Sequence, residues 1–316
     1  FTFMVLLNLL EIARYRAVVV YSNPPILPWI ASWAKVLFGT KLIFVSYDLY
    51  PEVATVTNTL RDGNIICRLM NHINKCVYRR ADHVVALSSE MKDYILQNRP
   101  VTADRVSVIP NWYRDQGELQ SENRDNPFRN EATGRFVVSY FGNMGTMQDM
   151  DTILGAIRLL KDDPDIYFLF AGHGNKMEKL KEIVSEEHIS NITIHNFLHG
   201  KDFENALAAS DCAFVSLEKG GTGLCVPSKT YSYMMQGLPL LAIMDEGDIV
   251  SDICSGAGRW VRNKESGKLA EAIRAMRSDP AAVASMAKKC REIFLEKYTT
   301  PICTGHYVKL FDKLLK

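Results

Sequence analysis

The sequence predicts an α/β protein of two domains, each a parallel sheet wound with helices. Three observations carry this. Apolar, β-branched runs alternate with helical stretches in two blocks; a polar stretch from Arg114 to Gly134 separates the blocks; and the strands of the second block run out into Gly, Asn, His or Glu. The 316 residues, 47% hydrophobic and 23% charged, suffice for two packed cores. A formal net charge of +1 supplies no global field for nucleic acid. The seven cysteines (67, 76, 212, 225, 254, 290 and 303) form no CxxC pair and no zinc spacing, which points to free thiols in a reducing cytoplasm.

The chain opens on the apolar run Phe1 to Leu10, without an initiator Met or a signal-peptide cleavage pattern, and reads as a fragment. The run is short of the roughly 20 residues a membrane span requires. Ala17 to Ser22 is the first strand, Pro28 to Phe38 a helix and Lys41 to Ser46 the next strand, a βαβ unit that implies a parallel sheet. Trp29 and Trp33 share a face of that helix beside Lys35; they either touch a membrane surface or pack on the sheet. A helix with the basic edge Lys75, Arg79 and Arg80 follows, then strand His83 to Leu87, helix Glu90 to Gln97 with Ser88 or Ser89 as its cap, and strand Val106 to Ile109.

The second block starts with strand Phe136 to Phe141, running into the loop Gly142-Asn143-Met144-Gly145 and the helix Met150 to Leu160. Strand Ile166 to Ala171 ends in Gly172-His173-Gly174, strand Ile192 to His195 in Asn196-Phe197, and strand Cys212 to Leu217 in Glu218-Lys219-Gly220-Gly221-Thr222-Gly223. In an open α/β sheet such carboxyl ends line one crevice. After the last loop, Pro227 and Ser228 suit the start of a helix, Gly237 its left-handed cap, and Pro239 its stop before the strand Leu240 to Ile243. Lys229 and the first-turn amides offer a site for an anion, or else an ordinary solvated helix start. Tyr231, Met234 and Met235 read as core. Lys268 to Arg277, Ala281 to Tyr298 and Pro301 to Leu315 read as closing helices. The resulting division is a first domain at 1–115, a linker at 116–134, a second domain at 135–298 and a final helix at 299–316.

Several stretches together resemble the family 4 nucleotide-sugar glycosyltransferases of GT-B fold, in particular the bacterial surface-polysaccharide branch with its fucosamine-transferase-like enzymes. They are Tyr47-Asp48-Leu49-Tyr50-Pro51-Glu52, Ala81 to Ser88, Val108 to Trp112, Phe141 to Gly145, Ala171 to Gly174 and Val226 to Tyr233. The resemblance implies two Rossmann-like domains, the second binding a nucleotide diphosphate sugar, the first an acceptor, and a last helix that packs back on the first domain. It implies sugar transfer with retention of configuration, with no metal and no cofactor, to a lipid-linked glycan in surface polysaccharide synthesis. The enzyme would be a hexosyl or N-acetylhexosaminyl transferase, cytoplasmic and peripheral on the inner face of the cell membrane, with no nucleic acid partner. Lys229 and Asp48 become the catalytic candidates. Gly142, Asn143, Gly145, Gly172, Gly174, Asn196, Phe197, Glu218, Thr222, Gly223, Ser228 and Lys229 become donor-binding candidates, and Tyr47, Asp48 and Glu52 acceptor-side candidates.

The chain departs from the family at several points. Leu224 and Ser232 stand where many members carry two glutamates, Gln148 where a basic residue follows the first glycine loop, and Tyr47 beside Asp48 where an acceptor-side histidine is common. Glu218 is a compensating carboxylate for the donor sugar. The resemblance also implies an opening strand and glycine-rich loop that this sequence does not show, which leaves the first domain incomplete at its N-terminus by roughly 80 residues, so these residues alone should bind a nucleotide diphosphate yet turn over poorly. Asp149-Met150-Asp151 matches the DxD pattern of metal-dependent transferases but lies at a helix start, where a carboxylate caps. His173, His195 and His199 suggest a metal or satisfied polar roles, and Asp48 either orients an acceptor hydroxyl or caps a turn. A nucleotide-sugar epimerase of the same architecture and a non-catalytic partner subunit are the alternatives. The lack of a GxGxxG after the first strand argues against a nicotinamide dehydrogenase.

Overall fold

The computed structural model describes residues 4–5, 8–117, 126–132 and 134–316. Phe1 to Phe3, Leu6 and Leu7 of the opening run, and 118–125 and 133 of the predicted linker, lie outside the described residues. The chain forms two compact units: Phe1–Asn111 with Gly220–Val226 and Pro301–Lys316, and Trp112–Lys219 with Pro227–Thr300.

The first unit holds a parallel sheet in the order β1 (Ala17–Tyr21), β2 (Lys41–Ser46), β3 (His83–Ala86), β4 (Val106–Val108). Its central strands are apolar on both faces, as a sheet covered by helices requires; Leu42, Ile43, Val45, Val84, Val85 and Ala86 are fully buried. The helix Leu27–Phe38 packs through Leu27, Ile30, Ala31 and Ala34. Asn64 starts the helix Ile65–Arg80 by accepting from the Cys67 amide at 2.8 Å, and Ser88 starts Ser89–Asn98 by accepting from Met91 at 3.3 Å. Asp82 ties two elements to β2, accepting from the Leu42 amide at 2.9 Å and from Lys35 Nζ at 2.8 Å.

The second unit is a six-stranded parallel sheet in the order β10 (Gly258–Val261), β9 (Leu240–Ile243), β8 (Cys212–Ser216), β5 (Phe136–Asn143), β6 (Ile166–His173), β7 (Ile192–Asn196). The chain runs outward from β5 to β7, then returns to β8 on the other side, so the strand order reverses between β5 and β8. A crevice at the carboxyl ends opens at such a reversal. Phe168, Phe170, Phe214, Ile157 and Ile273 fill the core with no exposed surface, each such side chain contributing roughly 1.5–3 kcal/mol by leaving water. Two parallel-sheet α/β, Rossmann-like domains are thus present, and among the described residues no helix is long and apolar enough to cross a membrane.

The structure corrects four local expectations. Gly142 and Asn143, and Gly172 and His173, are not loop; they extend β5 and β6, paired Gly142 with Gly172 and Asn143 with His173. The pairing survives because Gly172 has no side chain, since a Cβ there would lie 1.9 Å from the Gly142 carbonyl oxygen. The edge strand β10 carries no sequence signal, with a glycine first, Arg259 exposed and Val261 buried. The helix predicted from Ala281 to Tyr298 is regular over Pro280–Ile293 and then widens to a π turn, Phe294–Tyr298, where Lys297 Nζ and the Tyr298 hydroxyl both donate to Asp252 at 2.5 Å. Inside the predicted linker, Asn126 caps a short helix, Pro127–Glu131, that buries Phe128.

Candidate active site

The reversal point of the second sheet gathers glycines, amides and the half-buried Lys229. The helix Lys229–Gln236 begins there, after a turn in which the Thr230 amide donates to Pro227 O at 3.1 Å, and ends on Gly237 at φ +70. Ser228 is exposed in the first-turn position and makes no capping bond with its side chain. Tyr231, Met234 and Met235 are buried. Tyr233 holds the helix to β5: its hydroxyl accepts from the Phe141 amide at 2.7 Å and donates to Phe141 O at 3.1 Å.

That clasp fixes the reach of Lys229. Its Nζ lies 3.5 Å from the centroid of the Tyr140 ring and donates to Asn143 O at 3.4 Å, an oxygen that also accepts from the Tyr140 hydroxyl at 2.8 Å. No carboxylate pairs with it among the described contacts, and burial pushes its ammonium pKa well below the ordinary lysine value. The aromatic face partly offsets the lost hydration. A lysine held without an anionic partner at a helix start is equipped to bind an anion.

Gly142, at φ +111, runs beside the lysine stem, with its absent Cβ 3.8 Å from Lys229 Cε. Gly145 and Gly174 shape the next turn, where added Cβ atoms would meet Asn143 Nδ2 at 2.8 Å and Oδ1 at 2.6 Å respectively. The Met144 amide donates to His173 O at 2.6 Å and closes the turn against β6. Gln148 accepts from the Gly145 amide through Oε1 at 3.2 Å. The cation of this loop arrives from elsewhere, because Lys176 Nζ donates to Gln148 O and to Glu218 Oε1, both at 2.6 Å. Sequence reasoning misses Lys176, whose only local mark is its place at a helix start after Gly174. It also misses Tyr140 and Tyr233 as the groups that position Lys229. Glu218, the compensating carboxylate expected for the donor sugar, is ion-paired with Lys176, and its amide donates to Met147 O at 2.8 Å.

Asn196 ends β7 opposite Gly172, and Phe197 follows, 45% exposed between His173 and His199 at ring distances of 5.2 and 4.6 Å. His195 turns away, bonding Glu131 Oε2 at 3.2 Å and meeting the Phe128 ring edge-on. Asp149 caps the helix Met150–Leu160 by accepting from the Thr152 amide at 2.9 Å. Among the described residues no group of three His, Cys, Asp or Glu side chains could hold a metal.

The remaining candidates lie in the first unit. Ser22 Oγ accepts from the Tyr47 and Asp48 amides at 3.0 and 3.1 Å and so shapes the end of β2. Asp48 Oδ2 accepts from Asn23 Nδ2 at 3.0 Å and borders a small cavity with Pro25, Pro28, Tyr50 and Asn74; burial raises its pKa. Tyr47 meets the Tyr21 ring at 5.5 Å, and burial raises its pKa too. Glu52 is committed to Arg99, whose guanidinium donates to its Oε2 at 2.6 Å. Thr222 bridges Cys225, Gly223 has φ +84, and Leu224 O accepts from the Leu49 amide at 2.8 Å. Trp29 and Trp33 meet edge-on at 6.0 Å, and Arg80 stacks 4.7 Å over Trp33.

Residues 3–112 match the pattern of a glycosyl transferase 4-like domain, and residues 121–293 that of the glycosyl transferases group 1. The probable glycosyltransferase WbjE of Pseudomonas aeruginosa is 31% identical over 240 residues, covering 75% of this chain and 59% of that protein. The uncharacterized glycosyltransferase MJ1069 of Methanocaldococcus jannaschii is 29% identical over 157 residues, 47% of this chain and 38% of that protein. The chain thus spans about half the length of these relatives. In structure it is similar to Anabaena HepE in complex with UDP-glucose, with a TM-score of 0.77 at 16% identity over 97% of this chain and 81% of that one.

Proposed function

The chain belongs to the glycosyl transferases group 1, and from that membership we propose that it moves a sugar from a nucleotide diphosphate sugar to a lipid-linked glycan in surface polysaccharide synthesis. The observation that carries this reading is Lys229, a half-buried lysine held over Tyr140 and on Asn143 O, with no carboxylate partner among the described contacts, at the reversal point of the second sheet. HepE, of the same fold, is described in complex with UDP and with UDP-glucose. In this reading the diphosphate meets Lys229 Nζ, the first-turn amides and the Ser228 hydroxyl, and backbone at Gly142, Gly145 and Gly174 lets it approach. Phe197 faces the nucleobase beside Asn196.

As the bond from sugar to phosphate breaks, negative charge grows on the leaving diphosphate. A cation and amides fixed beforehand by Tyr140 and Tyr233 stabilise that charge with little reorganisation, which lowers the barrier. Transfer proceeds with retention and without a metal, and Asp48 orients the acceptor hydroxyl on the first unit. The protein works on the cytoplasmic face of the membrane, where lipid-linked acceptors are presented, and the donor sugar is a hexose or N-acetylhexosamine.

Labelled UDP-sugars, incubated with the protein with and without a polyprenyl-linked sugar, test the proposal. Label should enter the lipid fraction, and Lys229→Ala should slow this by about two to three orders of magnitude. Donor isomerised or hydrolysed without acceptor would favour the epimerase. Donor bound but transferred to no lipid extract would favour a non-catalytic subunit. Unaltered turnover in Lys229→Ala would remove Lys229 from the chemistry.

A further inference from the structure

The ion pair of Lys176 and Glu218 lies beside the anion site and takes no part in it. Glu218 spans the point where the strand order reverses: it follows β8, and its amide donates at 2.8 Å to Met147 O, in the loop that follows β5. Asn263 fixes the residue before it, donating through Nδ2 to Leu217 O at 2.8 Å and to Asp149 Oδ2 at 2.7 Å. Lys176 is fixed from the other side, its amide donating to Met144 O at 3.0 Å and its Nζ to Gln148 O at 2.6 Å. The loop that receives Lys176 at Met144 and Gln148 receives Lys229 at Asn143. It is tightly folded, since the Gln148 amide donates back to Gly145 O at 3.2 Å. The pair therefore stands on the same short loop as the cation given to the diphosphate, and its two side chains are 23% and 32% exposed.

Two of the three ammonium hydrogens of Lys176 go to Gln148 O and Glu218 Oε1, while Glu218 Oε2 has no hydrogen-bond partner among the described contacts. One donor and one carboxylate oxygen thus remain side by side, on a pair with no net charge. Hydroxyl groups, which both donate and accept, suit such a surface; an anionic group meets a cation that is already neutralised and a carboxylate that repels it. We propose that the Lys176 and Glu218 pair reads the sugar of the donor and selects a neutral sugar over an anionic one. One hydroxyl donates to Glu218 Oε2 and another accepts from Lys176 Nζ. The inference rests on the reading of a nucleotide diphosphate sugar as donor, and it adds the chemical class of the sugar and the two residues that set it. It also has a reverse: without the charge of Glu218, Lys176 becomes a lone cation, and the preference turns towards an anionic sugar.

Calorimetric titration with UDP, UDP-glucose and UDP-glucuronate tests the proposal, each nucleotide sugar being compared with UDP so that the diphosphate is held constant. The native protein should bind UDP-glucose about tenfold more tightly than UDP-glucuronate. Glu218→Gln should reverse that order, because the uronate gains a charge-assisted bond to Lys176 that is equivalent to about tenfold or more. Lys176→Met/Glu218→Leu should bind both nucleotide sugars no better than UDP. Glu178→Gln, which breaks the pair with Lys181 on the same helix, should leave all three affinities at native values. Circular dichroism establishes that each variant is folded. A native protein that does not discriminate between the two sugars would overturn the proposal, as would a Glu218→Gln protein that keeps the native order; a purely structural role for the pair would lower all three affinities together. Binding of UDP without discrimination between the sugars removes this proposal alone, whereas a native protein that does not bind UDP removes the donor reading beneath it.

Discussion

Replacing Gly172 by alanine probes how the second sheet holds its site. The added methyl would lie 1.9 Å from the Gly142 carbonyl oxygen and 2.8 Å from its carbon. Ordinary contact begins at 3.4 Å, so the two strands must part by the difference of 3.4 and 1.9, about 1.5 Å. No side-chain rotation can relieve the clash, because the groups in conflict are main chain and the strands are paired from Phe136 with Ile166 through Asn143 with His173. The displacement falls on Asn143, whose carbonyl receives Lys229, and on the Met144 amide that donates to His173 O. We expect a loss of about 2–3 kcal/mol in stability and a fall in UDP affinity of about tenfold or more, since an ångström of misplacement is costly at a preorganised site. Urea unfolding followed by circular dichroism and calorimetric titration with UDP measure the two effects. Gly305→Ala is the control: nothing lies within 4 Å of its position in the helix Thr300–Leu315, so it should stabilise by about 1 kcal/mol. A Gly172→Ala protein with native urea midpoint and native UDP affinity would refute the reasoning.

Three further outcomes follow from the charges. Because burial lowers the Lys229 pKa and a bound diphosphate would raise it again, UDP binding should take up a proton at pH values that lie between the free and the bound pKa. The binding heat should then vary with buffer ionisation enthalpy in the native protein and not in Lys229→Met; no variation in either would contradict the assignment. His83, 3% exposed and bonded to Ser107 Oγ at 2.7 Å, has its pKa lowered by burial from 6.5 to about 4. Its unfolded state binds the proton first, so its contribution is full above pH 6.5 and is lost as pH falls towards 4. The native protein should lose up to about 3 kcal/mol over that window relative to His83→Gln, and parallel urea stability curves for the two would disprove it. Glu52→Gln leaves Arg99, whose side chain is 7% exposed, without its anion; it should cost about 3–5 kcal/mol, with much of this recovered in Glu52→Gln/Arg99→Met. Thermal melts of the two decide, and a benign single substitution would show that the pair is solvated.

What the sequence reveals is what local chemistry dictates. The strands Lys41–Ser46 and Leu240–Ile243 and the helix Met150–Leu160 have the bounds that their apolar runs, Asp149 and Pro239 set. Glycine marks the strand ends because few other residues permit such turns. The partners of the site are not legible in this way. Tyr231 and Tyr233 are both buried at nearly the same place, and only the register of the helix against β5 gives the second hydroxyl to Phe141, 92 residues away. Lys176 meets Gln148 and Glu218 across 28 and 42 residues. Runs of three polar residues at a strand end cannot say which of them will pair with each other and which will remain for a ligand, and Glu218 shows the difference.

The hydroxyl of Tyr233 has a consequence for how this architecture can vary. Because it binds both polar groups of Phe141, the helix that carries Lys229 is tied to β5 directly as well as through the chain that leads into it. In the proposed reading the place of Lys229 is therefore shared between its own helix and β5, and a change in either strand or helix would move the anion contact.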